Sequence, residues 1–175
     1  VYFSEDDQIV WMVTPEGVLA VVAGTFNDTT FGNIGGAIGF SGDGGPANQA
    51  TMSQPKGVAL DTAGNVFIAD GGNQRLRKVT PMPAVPMPAS AGAFSPMRNY
   101  MVGSYTESVA VADVTGDGRD DALLTTSSWN SGTVEPNDYK LFLFVQKPDG
   151  TLASPIAYDY PASRMATGLM AADLN

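Results

Sequence analysis

Short apolar runs separated by turn-forming residues are the main pattern along this chain. Runs of Val, Ile, Leu, Phe and Tyr stand between glycine, proline and polar residues, which is typical of brief β-strands rather than helices. The segments "PEG", "TAGN" and "KPDGT" predict tight turns, the last of them a hairpin turn. The pattern predicts strands near residues 1–4, 9–13, 18–23, 57–61, 66–69, 75–79, 108–112, 122–126, 139–145, 152–157 and 168–172.

Two different repeats occur in the chain. The segment "VYFSEDDQIVWMVTP" at residues 1–15 is echoed by "VFIADGGNQRLRKVTP" at 66–81. A second, unrelated pair consists of "SVAVADVTGDG" from Ser108 and "TGLMAADLN" from Thr167, and it aligns Asp113 with Asp173. Self-similarity at a spacing of about 60 residues indicates a supersecondary unit that is used more than once.

The strands fall into groups of four, which predicts an all-β chain built from β-propeller blades of four antiparallel strands. A propeller closes by radial repetition and typically needs 4–8 blades, whereas these strands make fewer than three. The chain also begins inside one repeat and ends inside another. We therefore expect an incomplete ring, either a segment of a longer propeller protein or part of an assembly in which other chains complete it.

A proline-rich segment divides the chain. Five prolines fall between Pro81 and Pro96, and each removes a donor that the ladder of a central strand would need. We predict an extended linker at residues 82–98. It would separate one propeller region at residues 1–81 from a second at 99–175.

Composition excludes several classes of function. The 175 residues carry a net charge of −9, and no Lys or Arg precedes Lys56, so the chain lacks the basic face that nucleic acid requires. Cysteine and histidine are absent, which removes the thiolate nucleophile, the commonest general base and the usual zinc ligand. The longest apolar stretch, residues 18–24, is too short to span a bilayer. We expect neither an enzyme nor membrane insertion.

The acidic segment "DVTGDGRDD", residues 113–121, is the strongest candidate for a site. Alternate residues of a tight loop can point inward, and calcium takes 6–8 oxygen ligands in flexible geometry, whereas magnesium demands a tight octahedron. Three convergent carboxylates without a counter-ion would repel one another by on the order of 10 kcal/mol. The predicted calcium (Ca²⁺) ligands are the side chains of Asp113, Thr115, Asp117 and Asp121 and the main-chain carbonyl of Arg119, with Gly118 permitting the turn.

The acidic segment differs from an EF-hand, and one other interpretation competes with a calcium loop. An EF-hand would need Glu at loop position 12, where Leu124 stands, and flanking helices. The competing interpretation is an Asx-rich surface turn whose carboxylates point into water. Asp120, at an even position, is expected to face solvent in either case. Asp173 and Asn175 would be metal ligands at positions one and three of a second loop of the same kind.

Three basic residues lie on one predicted strand. Alternation sends Arg75 and Arg77 to one face of the sheet and Lys78 to the other. We expect them to pair with Asp61 or Asp70, and a small basic ligand site is the alternative.

The first half of the chain resembles the NHL-repeat β-propellers. "QPKGVALDTAGNVFIADGGNQRLRKVTP" is similar to the family pattern of a GVA-x-D strand, a GN turn, an IAD strand end and an N-x-R-x-R-K-V strand. "GFSGDGGPANQATMSQP" resembles the long insertion between repeats in bacterial and teneurin-like members. The segment "SEDDQIVWM" lacks the Asn and Arg of the pattern. The resemblance implies propeller blades over residues 1–81.

The second half resembles the FG-GAP or VCBS repeats of integrin-type propellers. Those repeats carry a D-x-[DN]-x-D-G-x-x-D loop that joins two strands of a blade and holds calcium. "VAVADVTGDGRDDALLTT" is similar to this pattern, and "LFLFVQKPDGTL" resembles the hairpin that follows it. Thr115 stands where the family usually has Asp or Asn. The resemblance implies a calcium-binding blade within residues 99–175.

These observations favour a secreted or cell-surface, calcium-stabilised β-propeller that acts in binding, adhesion or extracellular structural assembly. Its partner would be a protein or glycan at the cell surface, and the periplasm is an alternative location. One alternative function is a carbohydrate-binding lectin, in which Trp129 of the polar loop at residues 127–138 would contact the sugar. Another is the non-catalytic part of a propeller enzyme, since NHL-type propellers include lyases that depend on histidine-bound metal.

Overall fold

The computed structural model describes residues 1–5, 8–14, 17–27, 35–36, 38–81, 97–128, 135–159 and 169. Over these residues the chain is nearly all β, as predicted, with two short 3-10 helices at Ala47–Gln49 and Gly71–Asn73. The strands are β1 (Tyr2–Glu5), β2 (Ile9–Val13), β3 (Leu19–Ala23), β4 (Phe26–Asn27), β5 (Gly35–Gly36), β6 (Pro55–Leu60), β7 (Val66–Asp70), β8 (Arg75–Val79), β9 (Arg98–Met101), β10 (Tyr105–Ala112), β11 (Asp121–Ser127), β12 (Lys140–Phe144) and β13 (Ile156–Asp159).

Neighbouring strands pair in sequence order. One sheet has the order β1-β2-β3, and β4 pairs with β5. Two sheets have four strands each, in the orders β6-β7-β8-β9 and β10-β11-β12-β13, and every pairing in them is antiparallel. Over the described residues these sheets do not close a ring, so the chain is a partial β-propeller. The predicted blades of four antiparallel strands are therefore confirmed.

Most predicted strands have observed counterparts, and one differs in an informative way. The strand predicted near residues 152–157 begins only at Ile156, while Leu152 forms an isolated bridge with Gln146. Pro155, which has no amide donor, lies between Leu152 and the strand and accounts for this interruption. Of the strand predicted near residues 168–172, the structure describes only residue 169, so this prediction is not tested.

Strand β9 was not predicted, and it completes the sheet of β6–β8. It begins at Arg98, the last residue of the predicted linker, and pairs with β8 in a register that joins Lys78 to Arg98 and Arg75 to Met101. The fourth strand of this sheet therefore comes from beyond the proline-rich segment. The division of the chain at residues 82–98 stays a prediction, because residues 82–96 lie outside the described part of the structure.

The core lies in two layers, one on each face of the β6–β9 sheet. Along β7, Val66 and Ile68 pack into the layer shared with β2 and β3, while Phe67 and Ala69 pack into the layer shared with β10–β12. All five residues of β7 are buried because both faces of the strand are covered. Successive sheets are thus stacked face to face by alternate side chains of a single strand.

The first strands of the two four-stranded sheets approach each other closely at Gly57. A Cβ atom at this residue would lie 2.7 Å from the main-chain nitrogen of Val109. Glycine is therefore required by space here, and it allows β6 and β10 to lie side by side.

Candidate functional site

The acidic loop connects β10 to β11 and spans residues 113–120, with Asp121 as the first residue of β11. Gly116 and Gly118 have φ values of +75° and +81°. This left-handed backbone conformation is readily available to glycine, so the turn predicted at Gly118 is present. The central residues of the loop are exposed, whereas Asp121, which follows it, is completely buried.

Main-chain amides of the loop surround the carboxylate of Asp113. Its Oδ1 accepts hydrogen bonds from the amides of Gly116 (2.8 Å) and Asp117 (3.1 Å), and its Oδ2 accepts one from Gly118 (2.7 Å). These bonds favour the ionised form, and the bond from Gly118 contributes most to lowering the pKa of Asp113. The loop thus folds around this carboxylate.

Asp121 is held at the buried end of the loop. Its Oδ2 accepts hydrogen bonds from the amide (3.2 Å) and the hydroxyl (3.0 Å) of Thr115, and its Oδ1 accepts one from the amide of Gln146 (3.0 Å). The hydroxyl that we predicted as a metal ligand is therefore bonded to another predicted ligand.

Asp117 forms an ion pair with the guanidinium group of Arg119. Its Oδ1 also accepts a hydrogen bond of 3.0 Å from the main-chain amide of Arg119. The Nε of the same guanidinium donates to the main-chain oxygen of Gln146, at 3.0 Å. Both side chains of the pair are partly exposed, so the pair adds little stability on its own.

The five predicted ligands within residues 113–121 lie in one loop, but their acidic side chains do not gather around one point. Within the described residues, which include Asp113, Asp117 and Asp121, no group of three His, Cys, Asp or Glu side chains is placed to hold a metal ion. The carboxylates instead accept hydrogen bonds from amides, from Thr115 and from Arg119. Asp173 and Asn175, the ligands predicted for a second loop, lie outside the described residues, as does Trp129.

Asp120, which was predicted to face solvent, is partly exposed and also makes a contact that was not predicted. Its Oδ2 accepts hydrogen bonds from both the amide (2.6 Å) and the hydroxyl of Thr62, which lies in the turn between β6 and β7. The acidic loop therefore contacts the neighbouring sheet through the one aspartate that alternation had turned outward. No signal in the local sequence identifies this contact, because the two residues are 58 positions apart.

Lys78 joins the same two sheets. Its side chain is only 2% exposed and lies on the face of β8 opposite to Arg75 and Arg77, as alternation predicted. The ammonium group donates to Oε1 of Gln146 (2.7 Å) and to the main-chain oxygen of Gly150 (2.8 Å). Burial lowers the pKa of Lys78 and the charge of Arg98 lowers it further, while Asp61, with an oxygen 4.0 Å away, opposes the change.

Arg77 binds the insertion quoted above, residues 39–55. Its completely buried guanidinium pairs with Asp70 (3.3 Å), as expected, and with Asp43 (2.7 Å), which was not expected. It also donates to the main-chain oxygens of Ser41 (2.9 Å) and Thr51 (2.7 Å). These contacts hold residues 41–51 against the sheet and explain why this strand carries arginine.

Burial governs the ionisation of Asp70 at the centre of this cluster. Desolvation raises the pKa of Asp70, although hydrogen bonds from Asn73 and Ser53 and the charge of Arg77 act in the opposite direction. The cluster is enclosed by protein, so the alternative of a small basic ligand site is not supported at Arg77.

Three exposed apolar residues lie near this cluster. The ring of Phe40 stacks on the guanidinium group of Arg75, 3.7 Å from the ring centroid, and Arg75 is paired in register with Met101. Ile38, Phe40 and Met101 are 76%, 43% and 57% exposed. We call these three residues the Phe40 surface. Sequence reasoning missed it because it depends on how the insertion lies on the sheet.

Comparisons with known proteins agree with part of the sequence interpretation. The NHL repeat family matches residues 52–79, which include β6, β7 and β8. No solved structure matches the chain. Among the described residues, no helix has the length and apolar character needed to cross a membrane.

Teneurins are similar to this chain over different lengths. Teneurin-1 of Mus musculus and that of Homo sapiens are each 34% identical over 71 residues, which is 41% of this chain and 3% of each of those proteins. Teneurin-4 of Homo sapiens is 28% identical over 170 residues, or 85% of this chain and 6% of that protein. The chain thus spans a small part of these relatives. Residues 52–79 are an NHL repeat within a partial β-propeller, and the similarity to a teneurin extends over most of the chain.

Proposed function

We propose that this chain is a non-catalytic part of an extracellular or cell-surface β-propeller that acts in binding, adhesion or structural assembly. The observation that carries the proposal is the similarity to Teneurin-4 over 85% of the chain, combined with an NHL repeat. Teneurin homologues are cell-surface proteins. The absence of histidine and cysteine from the sequence supports binding rather than catalysis.

The Phe40 surface is the part of the described chain that we propose for contact with a protein partner. Its three large apolar side chains are exposed, and the central ring is held in place by Arg75. A rigid aromatic side chain next to arginine is the type of residue pair on which protein interfaces concentrate binding energy. The buried pairs of Arg77 fix the insertion that carries Phe40.

Cell binding tests this function. Beads coated with the chain should bind cells that display teneurins, and beads coated with the Ile38→Ser variant should bind less. Ile38 is 76% exposed, so its replacement removes little buried contact. Ile156→Ser is the matched control, because this exposed isoleucine lies on β13 in another sheet. Equal binding by all three kinds of bead would reject the Phe40 surface, and no binding by any of them would reject the adhesive role.

We also propose that the acidic loop takes up calcium. The support is chemical: five oxygen-bearing positions lie within nine residues, and the exposed carboxylate of Asp113 is already held inside the loop by three amides. In the arrangement described above the donor set fits only in part, because Asp117 is paired with Arg119. A bound calcium ion would need the oxygens of Asp113, Asp117 and Asp121, and so would require that ion pair to separate.

A further inference from the structure

Gln146 lies between the acidic loop and the neighbouring sheet, and it bonds to both. Its main-chain amide donates to Asp121 and its main-chain oxygen accepts from Arg119, each at 3.0 Å. Its side-chain Nε2 donates to the main-chain oxygen of Asp120 at 3.0 Å, and its Oε1 accepts from Lys78 at 2.7 Å. Each of its four polar groups is therefore used, three of them on consecutive residues of one loop and the fourth on another sheet.

We propose that Gln146 is a positioning residue that couples the conformation of the acidic loop to the packing of the β6–β9 sheet. The coupling follows from the environment of Lys78, whose buried ammonium group donates hydrogen bonds to Gln146 and Gly150, which follow β12 of the adjacent sheet. A buried ammonium group that loses such an acceptor is costly to retain. The position of the Gln146 side chain is therefore fixed by a residue of the other sheet.

The same residue holds the end of the acidic loop, through one side-chain bond to Asp120 and main-chain bonds to Arg119 and Asp121. If Arg119, Asp120 and Asp121 moved away, Gln146 would lose three of its four bonds. The Gln146 side chain would then keep only its bond to Lys78 and could change its position, which would weaken an acceptor of the buried ammonium group. The hydrogen bonds between Asp120 and Thr62 make a second connection between the loop and the same neighbouring sheet. A change at the loop and a change at Lys78 thus both act on the side chain of Gln146. Coupling of this kind is reciprocal, so each change should affect the other region.

Amide hydrogen exchange on the full chain tests the coupling. Lys78→Met keeps most of the aliphatic side chain but removes the ammonium group. The amide of Thr115 is bonded to Asp121 and has no hydrogen bond to Lys78. Lys78→Met should speed hydrogen exchange at this amide by about threefold or more, which is the size of effect expected between coupled residues in one network. The amide of Ile68 in β7 reports any general loss of stability. Lys140→Met, at the first residue of β12 and paired with the exposed Asp159, is the control and should leave Thr115 unchanged.

A second background distinguishes coupling through Gln146 from a general loosening. In the Gln146→Met variant, adding Lys78→Met should produce no further change in exchange at Thr115. The inference is overturned if Lys78→Met leaves Thr115 unchanged in the otherwise natural chain, or if its effect persists without the glutamine.

Should Lys78→Met fail to fold, the reverse measurement decides. Arg119→Ala, which truncates a partly exposed side chain, should speed exchange in β8 of the neighbouring sheet relative to Ile68. No change in β8 would overturn the inference. None of these outcomes depends on calcium or on cell binding, so the coupling and the proposed function fail separately.

Discussion

Arg77 and Asp70 form an ion pair in which neither side chain has any exposed surface. Their alternation along β7 and β8 places both on the face that the insertion covers, and Asp43 reaches the same guanidinium from that insertion. A buried pair of this kind adds little net stability relative to apolar residues of the same size, but the loss of one partner leaves an uncompensated charge. Its main consequence is therefore geometric, because it fixes the position of the insertion.

The Arg77→Met variant should be strongly destabilised. Removing the guanidinium leaves the buried carboxylate of Asp70 without its cation and leaves the main-chain oxygens of Ser41 and Thr51 without a donor. We therefore expect the free energy of unfolding to fall by about 3–5 kcal/mol. Urea denaturation measures this loss. Lys56→Met, at an exposed residue of β6, should change stability by less than about 0.5 kcal/mol. The variant with both Arg77→Met and Asp70→Leu should be less destabilised than the sum of the single changes. Additive losses would show that the pair is not coupled.

The stability of the chain should rise with pH in the alkaline range because of Lys78. Burial lowers the pKa of Lys78 in the folded chain below its ordinary value of 10.5. Between the lowered and the ordinary pKa, the unfolded chain binds more protons at this residue than the folded chain does. The free energy of unfolding therefore increases with pH in that window.

Comparison with Lys78→Met isolates this contribution. Urea denaturation from pH 7 upward should show the natural chain gaining stability relative to the variant as the pH approaches 10.5. All other ionisable groups are the same in both proteins, so their effect cancels in the difference. A difference that stays constant with pH would mean that the lysine is not perturbed.

How much the sequence determines locally is visible in β8 and β9. The alternating run at residues 75–79 was predicted with its observed bounds because each side chain faces a defined core or charge cluster. The segment Arg98–Met101 carries no such alternation and follows a proline-rich stretch, so its pairing with β8 depends on a distant strand. The local pattern therefore predicted that β8 exists. It did not predict that β9, which follows the proline-rich segment, would complete the same sheet.

The acidic loop also shows that the local sequence predicts some features of a site and not others. Spacing correctly placed Asp113, Thr115 and Asp121 in one tight loop. The electrostatic argument for an ion assumed that the chain itself offered no compensating donors. Those donors include amides of the loop, which local geometry supplies, and Gln146 and Thr62, which reach the loop only through tertiary packing.

Calcium should raise the melting temperature of the chain if the acidic loop binds it. Binding of an ion to the folded state alone stabilises that state, and excess EGTA should reverse the effect. The Asp113→Asn variant should show a much smaller rise, because it removes the charge at the centre of the loop. Differential scanning calorimetry with and without calcium measures this.

Asp149→Asn is the matched control for the calcium experiment. Asp149 is an exposed aspartate that accepts hydrogen bonds from Thr151 in the hairpin turn after β12, so its replacement perturbs a similar turn without touching the loop. This variant should respond to calcium as the natural chain does. A melting temperature that ignores both calcium and EGTA in all three proteins would remove the proposed metal site.

Gly57→Ala should destabilise the packing between the two four-stranded sheets. The added Cβ would lie 2.7 Å from the nitrogen of Val109 and 3.0 Å from the Cα of Ser108, and both are main-chain atoms that can move only with their strand. Such overpacking typically costs about 1–3 kcal/mol. Gly45→Ala is the control, since its Cβ would lie 3.4 Å from the main-chain oxygen of Gly42, an ordinary contact. If urea denaturation gave the two variants the same stability, the approach of β6 to β10 would not be limited by space at Gly57.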